Sequence, residues 1–142
     1  MTASAGYDYF DVEADVGVRA WGSDHAEAFA QAALGVLALG VVPSDVQPHE
    51  TRDVRAQGAI LEELLVAWIN ECVYVHEIEG FAVHHVSMSR LTGDVAHGVL
   101  HGEELDPRRH RLGTVVKGVT HHHVSVATTA TGGCEVRVIV DV

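Results

Sequence analysis

Apolar and polar positions alternate most clearly near the start of the chain. Val16, Val18 and Ala20 interleave with Gly17, Arg19 and Trp21, the period-two pattern of a half-buried strand. Tyr7 to Asp11, short and aromatic, predicts a strand ahead of it. Gly22 ends the run, and Ser23-Asp24 supplies cap residues for a helix. From Asp24 to Leu39 the period changes: Ala26, Phe29, Ala30, Ala33, Leu34 and Leu37 recur three and four apart, an apolar helical stripe closed by Gly40. Pro43-Ser44-Asp45 and Pro48 mark a loop, and Glu50 to Ala56 alternates as a polar, exposed strand. A second helix is predicted from Ala59 to His76. Its wide apolar face (Leu61, Leu64, Leu65, Trp68, Ile69, Cys72, Val73) makes it the centre of the core, and Gly80 stops it.

The remainder reads as strands. Phe81 to Leu91 and Val95 to His101 alternate around Thr92-Gly93-Asp94 as a hairpin. Gly102 to Pro107 breaks the sheet, and Arg108-Arg109-His110-Arg111 follows as a basic patch. Val115 to Val119, His122 to Ala127 and Glu135 to Val140 complete the set. The order β-β-α-β-α and then strands predicts an α+β fold, one domain over residues 1–142, with two helices packed on a mainly antiparallel or mixed sheet.

Composition narrows the function. The chain has 142 residues, 47% hydrophobic and 20% charged, a globular balance with enough length for a core. Nine basic against 20 acidic residues give a net charge of -11. That disfavours direct nucleic-acid binding, which needs a basic face to displace phosphate counterions, and favours cations and basic partner surfaces. Cys72 and Cys134 have no C-x-x-C spacing, so neither a disulfide scaffold nor a zinc finger is indicated. The N-terminal residues lack a leader pattern, and no apolar run reaches the roughly 18 residues of a membrane span, so a cytoplasmic protein is expected.

Eleven histidines raise the question of metal or catalysis. In a strand, His121-His122-His123 would point alternately to opposite faces, so the three cannot close on one ion, and the same holds for His84-His85. No H-E-x-x-H, G-x-S-x-G, P-loop or G-x-G-x-x-G motif occurs. Two carboxylates make the better site. Asp15 precedes one strand and Asp141 ends another, and a further oxygen is available from Val142. Hard oxygen ligands of this kind suit Ca²⁺ or Mg²⁺, provided the two strands end at the same edge of the sheet.

Several collinear segments resemble the archease family. Tyr9-Phe10 followed by Ala14-Asp15-Val16-Gly17-Val18 is similar to its opening aspartate motif, and Ala26 to Ala33 to its alanine-rich first helix. Leu64 to Glu71 resembles the central helix signature. Gly102-Glu103, Asp106 and His110 resemble a late loop, Val116-Lys117-Gly118-Val119-Thr120-His121 the V-K-A-V-T-Y motif, and Val140-Asp141-Val142 the family terminus. The resemblance implies an α+β fold and a divalent cation, Ca²⁺ first and Mg²⁺ second, on Asp15, Asp141 and Val142. It also implies a non-catalytic cofactor of an RtcB-type RNA-splicing ligase, promoting guanylylation of the ligase by GTP and multiple turnover in tRNA splicing and RNA repair.

Some positions depart from the family pattern. Val12-Glu13 stands where the family has H-T, Gly118 where it has alanine, and His121 where it has tyrosine. Glu13 is a candidate extra oxygen ligand or partner contact, and Lys117 a candidate contact to GTP or the ligase. The helix acids Glu62, Glu63 and Glu71 are either a solvated face or part of a docking face. The alternatives are a stand-alone divalent-cation module and a metal-assisted hydrolase using the histidines with the same carboxylates.

Overall fold

The structure, a computed structural model, describes residues 5–142; most of the N-terminal stretch expected to lack a leader lies outside the described residues. Seven strands and two helices follow in the order β1 (Gly6–Val12), β2 (Asp15–Gly22), α1 (His25–Leu37), β3 (Glu50–Gln57), α2 (Leu61–Glu77), β4 (Phe81–Leu91), β5 (Val95–Glu104), β6 (Gly118–Thr128) and β7 (Cys134–Asp141). A single 3₁₀ turn, Pro43–Asp45, occupies the expected loop. The α+β class is as the sequence predicts, and the strands divide into two sheets. One is four-stranded in the order β1-β2-β7-β6, the other three-stranded in the order β3-β5-β4. Every pairing between these strands is antiparallel.

Both helices touch both sheets: α1 packs on β2 and β7 of one and β4 of the other, and α2 on β6 and β3. This explains why α1 is buried nearly all round, at Ala28, Phe29, Ala32, Ala33 and Val36 among others. Alanine suits that place, because a helix between two layers needs thin sides and a high helix propensity. Asp24 caps α1 by accepting from the Glu27 N–H at 2.8 Å. Trp68 of α2 is fully buried, and its indole N–H donates to the Phe29 carbonyl at 3.0 Å, so the largest core side chain also locks the two helices together.

Element ends differ from the sequence reading in instructive ways. Gly80 lies three residues past the end of α2 at Glu77, and its φ of +70 turns the chain into β4. Gly40 stands at the same distance past α1, which ends at Leu37, but without a positive φ, so it is no left-handed cap. Its missing side chain makes room instead for the buried His76, since a Cβ there would lie 2.7 Å from Nε2. Of the strand expected over Val115–Val119 only Gly118 and Val119 form, as the start of β6; just before them the Val116 N–H goes to the Glu77 carboxylate, and upstream the Gly113 and Thr114 N–H groups go to the Gly40 and Leu39 carbonyls. Among the described residues, no helix is long and apolar enough to cross a membrane.

Candidate functional site

Strand register brings the predicted carboxylates together. In the β2–β7 pair, Val16 lies opposite Val140 and Val18 opposite Val138. One further step of the same register sets Asp15 opposite Asp141. Along both strands Val18, Ala20, Val136, Val138 and Val140 are buried, so alternation turns Asp15 and Asp141 to the other, outer face. Both aspartates are exposed. The β1–β2 hairpin closes on the Val12–Asp15 pair, which leaves Glu13 and Ala14 as its two-residue turn, with Glu13 at φ +26. Val142 follows Asp141 and packs its half-buried side chain against the core. Chain ends commonly fray, but this one is tied down: the Lys117 N–H donates to the Asp141 carbonyl at 2.9 Å. Glu13, Asp15, Lys117, Asp141 and Val142 therefore share one end of the four-stranded sheet.

Two side chains of α2 that the sequence did not single out hold Lys117 in place. The Asn70 amide accepts from the Val119 N–H at 2.8 Å and donates to the Val119 carbonyl at 3.2 Å. It thus takes both backbone groups of one residue of β6, which is an edge strand. Glu77 accepts from the Val116 N–H at 3.2 Å. Lys117 lies between these two fixed residues with its side chain exposed. The available signal was Asn70 itself, an amide set in a strongly apolar helix, where a polar group needs a partner. Glu63 has a local task, accepting from the Ala59 N–H at 3.1 Å ahead of α2, whereas Glu71 is exposed.

The other candidate groups are used differently. The expected basic patch is exposed at its three arginines, but two of them are paired with acids and its histidine is buried. Arg109 pairs with Glu103, His110 is 1% exposed, and Arg111 reaches Asp45 at 3.5 Å. His110 accepts at Nδ1 from the Asp106 N–H (2.9 Å) and meets Glu103 through Nε2 (3.0 Å), so both ring nitrogens are occupied. Burial pushes the Glu103 carboxyl up, but the Gln47 N–H, His110 and Arg109 outweigh this and bring its pKa down to about 2. The triple histidine does not alternate simply. A register slip between Thr120 and Ser125, with His123 at φ +55, brings the His122 and His123 rings to 3.8 Å. His84 and His85 also meet, Nδ1 to Nδ1 at 2.8 Å, and His85 stacks on His101 in the three-stranded sheet. Among the described residues, no three His, Cys, Asp or Glu side chains converge as a metal cage. The acidic end offers two exposed carboxylates in facing register, fewer side-chain oxygens than such a cage needs.

Comparison with known proteins agrees with this architecture. The model of the archease protein family matches residues 7–142. Protein archease of Sulfurisphaera tokodaii is 35% identical over 122 residues, which cover 84% of this chain and 87% of that relative. Protein archease of Pyrococcus furiosus is 27% identical over 139 residues, 96% of this chain and 98% of the relative. The solution structure of Methanobacterium thermoautotrophicum protein 1598 superposes with a TM-score of 0.79 at 29% identity, over 96% of this chain and 99% of that one. With the match running from the aromatic first strand through the aspartate of β2 to the closing Asp141-Val142, this chain belongs to the archease family.

Proposed function

We propose that this chain is a non-catalytic accessory protein of an RtcB-type RNA-splicing ligase, serving tRNA splicing and RNA repair in the cytoplasm. The observation that carries the reading is the β2–β7 register, which puts Asp15 and Asp141 at one sheet end beside Lys117 in a chain of the archease family. Asp15, Asp141 and a backbone oxygen of Val142 would hold a divalent cation, Ca²⁺ first and Mg²⁺ as the alternative. Bound there, the cation supplies a positive charge with open coordination positions for phosphate or partner oxygens. The Lys117 ammonium, exposed on a strapped backbone, would meet phosphate or an acidic group of the ligase, and Glu13 at the hairpin tip would contact the partner. Through these groups the protein promotes guanylylation of the ligase by GTP and repeated turnover. The net charge of -11 supports contact with RNA through the ligase only. A hydrolase gains less support, since the paired histidines 84, 85 and 101 lie on the other sheet and His110 has both nitrogens engaged.

The test is GMP transfer from radiolabelled GTP to the purified ligase of the same organism, followed past one turnover. Substoichiometric wild-type protein should stimulate both transfer and turnover. Asp15→Ala should abolish stimulation with an unchanged melting temperature, because an exposed strand-end aspartate contributes within about 0.5 kcal/mol to stability. A fully stimulating Asp15→Ala protein would remove the acidic end from the mechanism. A wild-type protein without effect on a competent ligase, yet binding Ca²⁺ in equilibrium dialysis, would leave the stand-alone cation module.

A further inference from the structure

A groove of about 590 Å³ runs between the outward stripe of α2 and the residues leading into β6. Three large apolar side chains lie along it: Tyr74, Ile78 and Val115, exposed by 52%, 68% and 66%. Single exposed apolar residues are ordinary, but three on one concave surface form the kind of patch that marks a protein contact. Asn70 and Tyr74 of α2 and Ile78, the residue that caps its end, succeed one another at four-residue spacing and form a continuous ridge. Asp141 also lines the groove, which makes it continuous with the acidic sheet end.

We propose that this groove seats an amphipathic helix of the partner ligase, with bulky apolar side chains on the buried face and Lys or Arg on its flanks. The inference rests on the ligase reading above and assigns its partner a second contact beside the cation site. Charge selects the occupant. Glu77 and Asp141 line the groove against Lys117 alone, and two exposed acids flank the ridge in sequence, Glu71 one turn before Tyr74 and Glu79 next to Ile78. A second copy of this chain would bring like charges together, whereas a basic segment is attracted. Backbone hydrogen bonding selects a helix over an added strand. Pairing onto β6 would need the free N–H and carbonyl of Val119, and Asn70 already takes both.

The experiment is calorimetric titration of the full chain into the purified ligase, for the wild type and for the double variant Tyr74→Ala/Ile78→Ala, with Ca²⁺ affinity and sedimentation measured on each isolated protein. The double variant should bind the ligase about 100-fold more weakly, as expected for truncating two anchors of a contact. Its Ca²⁺ affinity and melting temperature should match the wild type, since neither side chain is in the core. Glu71→Lys/Glu79→Lys should slow association and flatten its salt dependence. Wild-type ligase binding by the double variant would overturn the groove and leave the ligase reading intact. A parallel loss of Ca²⁺ affinity would place the effect at the cation site and also overturn it. A dimer dissolved by the two substitutions would make the occupant a second copy. If the wild type neither binds nor stimulates the ligase, the ligase reading fails and the groove assignment falls with it.

Discussion

Two acidic regions of this protein are built on opposite terms. At the end of β5, Glu103 is 6% exposed and accepts from the Gln47 N–H at 2.8 Å, from His110 at 3.0 Å and from Arg109. At the end of the four-stranded sheet, Asp15 and Asp141 are exposed, and among the described residues no ion pair engages them. The backbone there is firmly fixed, but the carboxylates are not used. A carboxylate whose partners are all internal is holding the fold. One placed by a rigid strand and left without partners is available to a ligand. Charge count alone does not separate these cases; the fate of each oxygen does.

The largest expected effects test that division directly. Glu103→Ala leaves Arg109, His110 and the Gln47 N–H without their acceptor. It should destabilise the protein by about 3 kcal/mol, the scale for breaking a buried ion pair from one side. Thermal melting would show it as a drop of roughly 10 °C for a chain of this size. Well below its own melting temperature the variant should still stimulate the ligase, the reverse of Asp15→Ala. Parallel losses of stability and stimulation in both variants would erase the distinction. The pH dependence sharpens it. The folded Glu103 carboxyl titrates near 2 against an ordinary 4.5, so its stabilisation is fully present above about 4.5 and is lost as pH falls through about 2. The melting-temperature gap between wild type and Glu103→Gln should therefore shrink over that acid range and stay constant from pH 5 to 7.

Asn70→Ala comes next in size and joins the two kinds of region, since its bonds are structural but act on the free end. Val119 is nearly buried, so its N–H and carbonyl would lose both partners, at about 2 kcal/mol. Lys117 would lose part of its support, and stimulation should fall several-fold while Ca²⁺ affinity is kept. Equal loss of both would mean that Asn70 shapes the cation site itself.

How much of this was legible in the sequence depended on the range of the interaction. The helices were readable because α1 and α2 each repeat an apolar period within themselves, and so was the hairpin around Thr92-Gly93-Asp94. Asp15 and Asp141 were legible as residues but not as a pair, since the register joining β2 to β7 links opposite ends of the chain. The division into two sheets was hidden for the same reason: alternation in β3 and β5 gives a face and not a neighbour. Val115 to Lys117 misled because apolar alternation predicts a strand, while the Val116 N–H is claimed by the Glu77 side chain of α2. His122 and His123 misled because a bulge cancels the alternation that would have kept their rings apart.

The smallest expected effect concerns the hairpin tip. Glu13 holds φ +26 in a two-residue turn, a position where glycine is the favoured residue and a side chain is mildly strained. Glu13→Gly should raise stability by about 0.5 kcal/mol, or roughly 1 to 2 °C in a melting scan. Because Asp15 and Asp141 keep their places through the β2–β7 register, Ca²⁺ affinity should stay close to the wild type, and stimulation should drop no more than a few-fold through the lost contact to the ligase. A Ca²⁺ affinity lowered tenfold or more would make Glu13 a cation ligand, and the acidic end would then be a site of three carboxylates. A lowered melting temperature would mean that the glutamate is accommodated in the turn without strain.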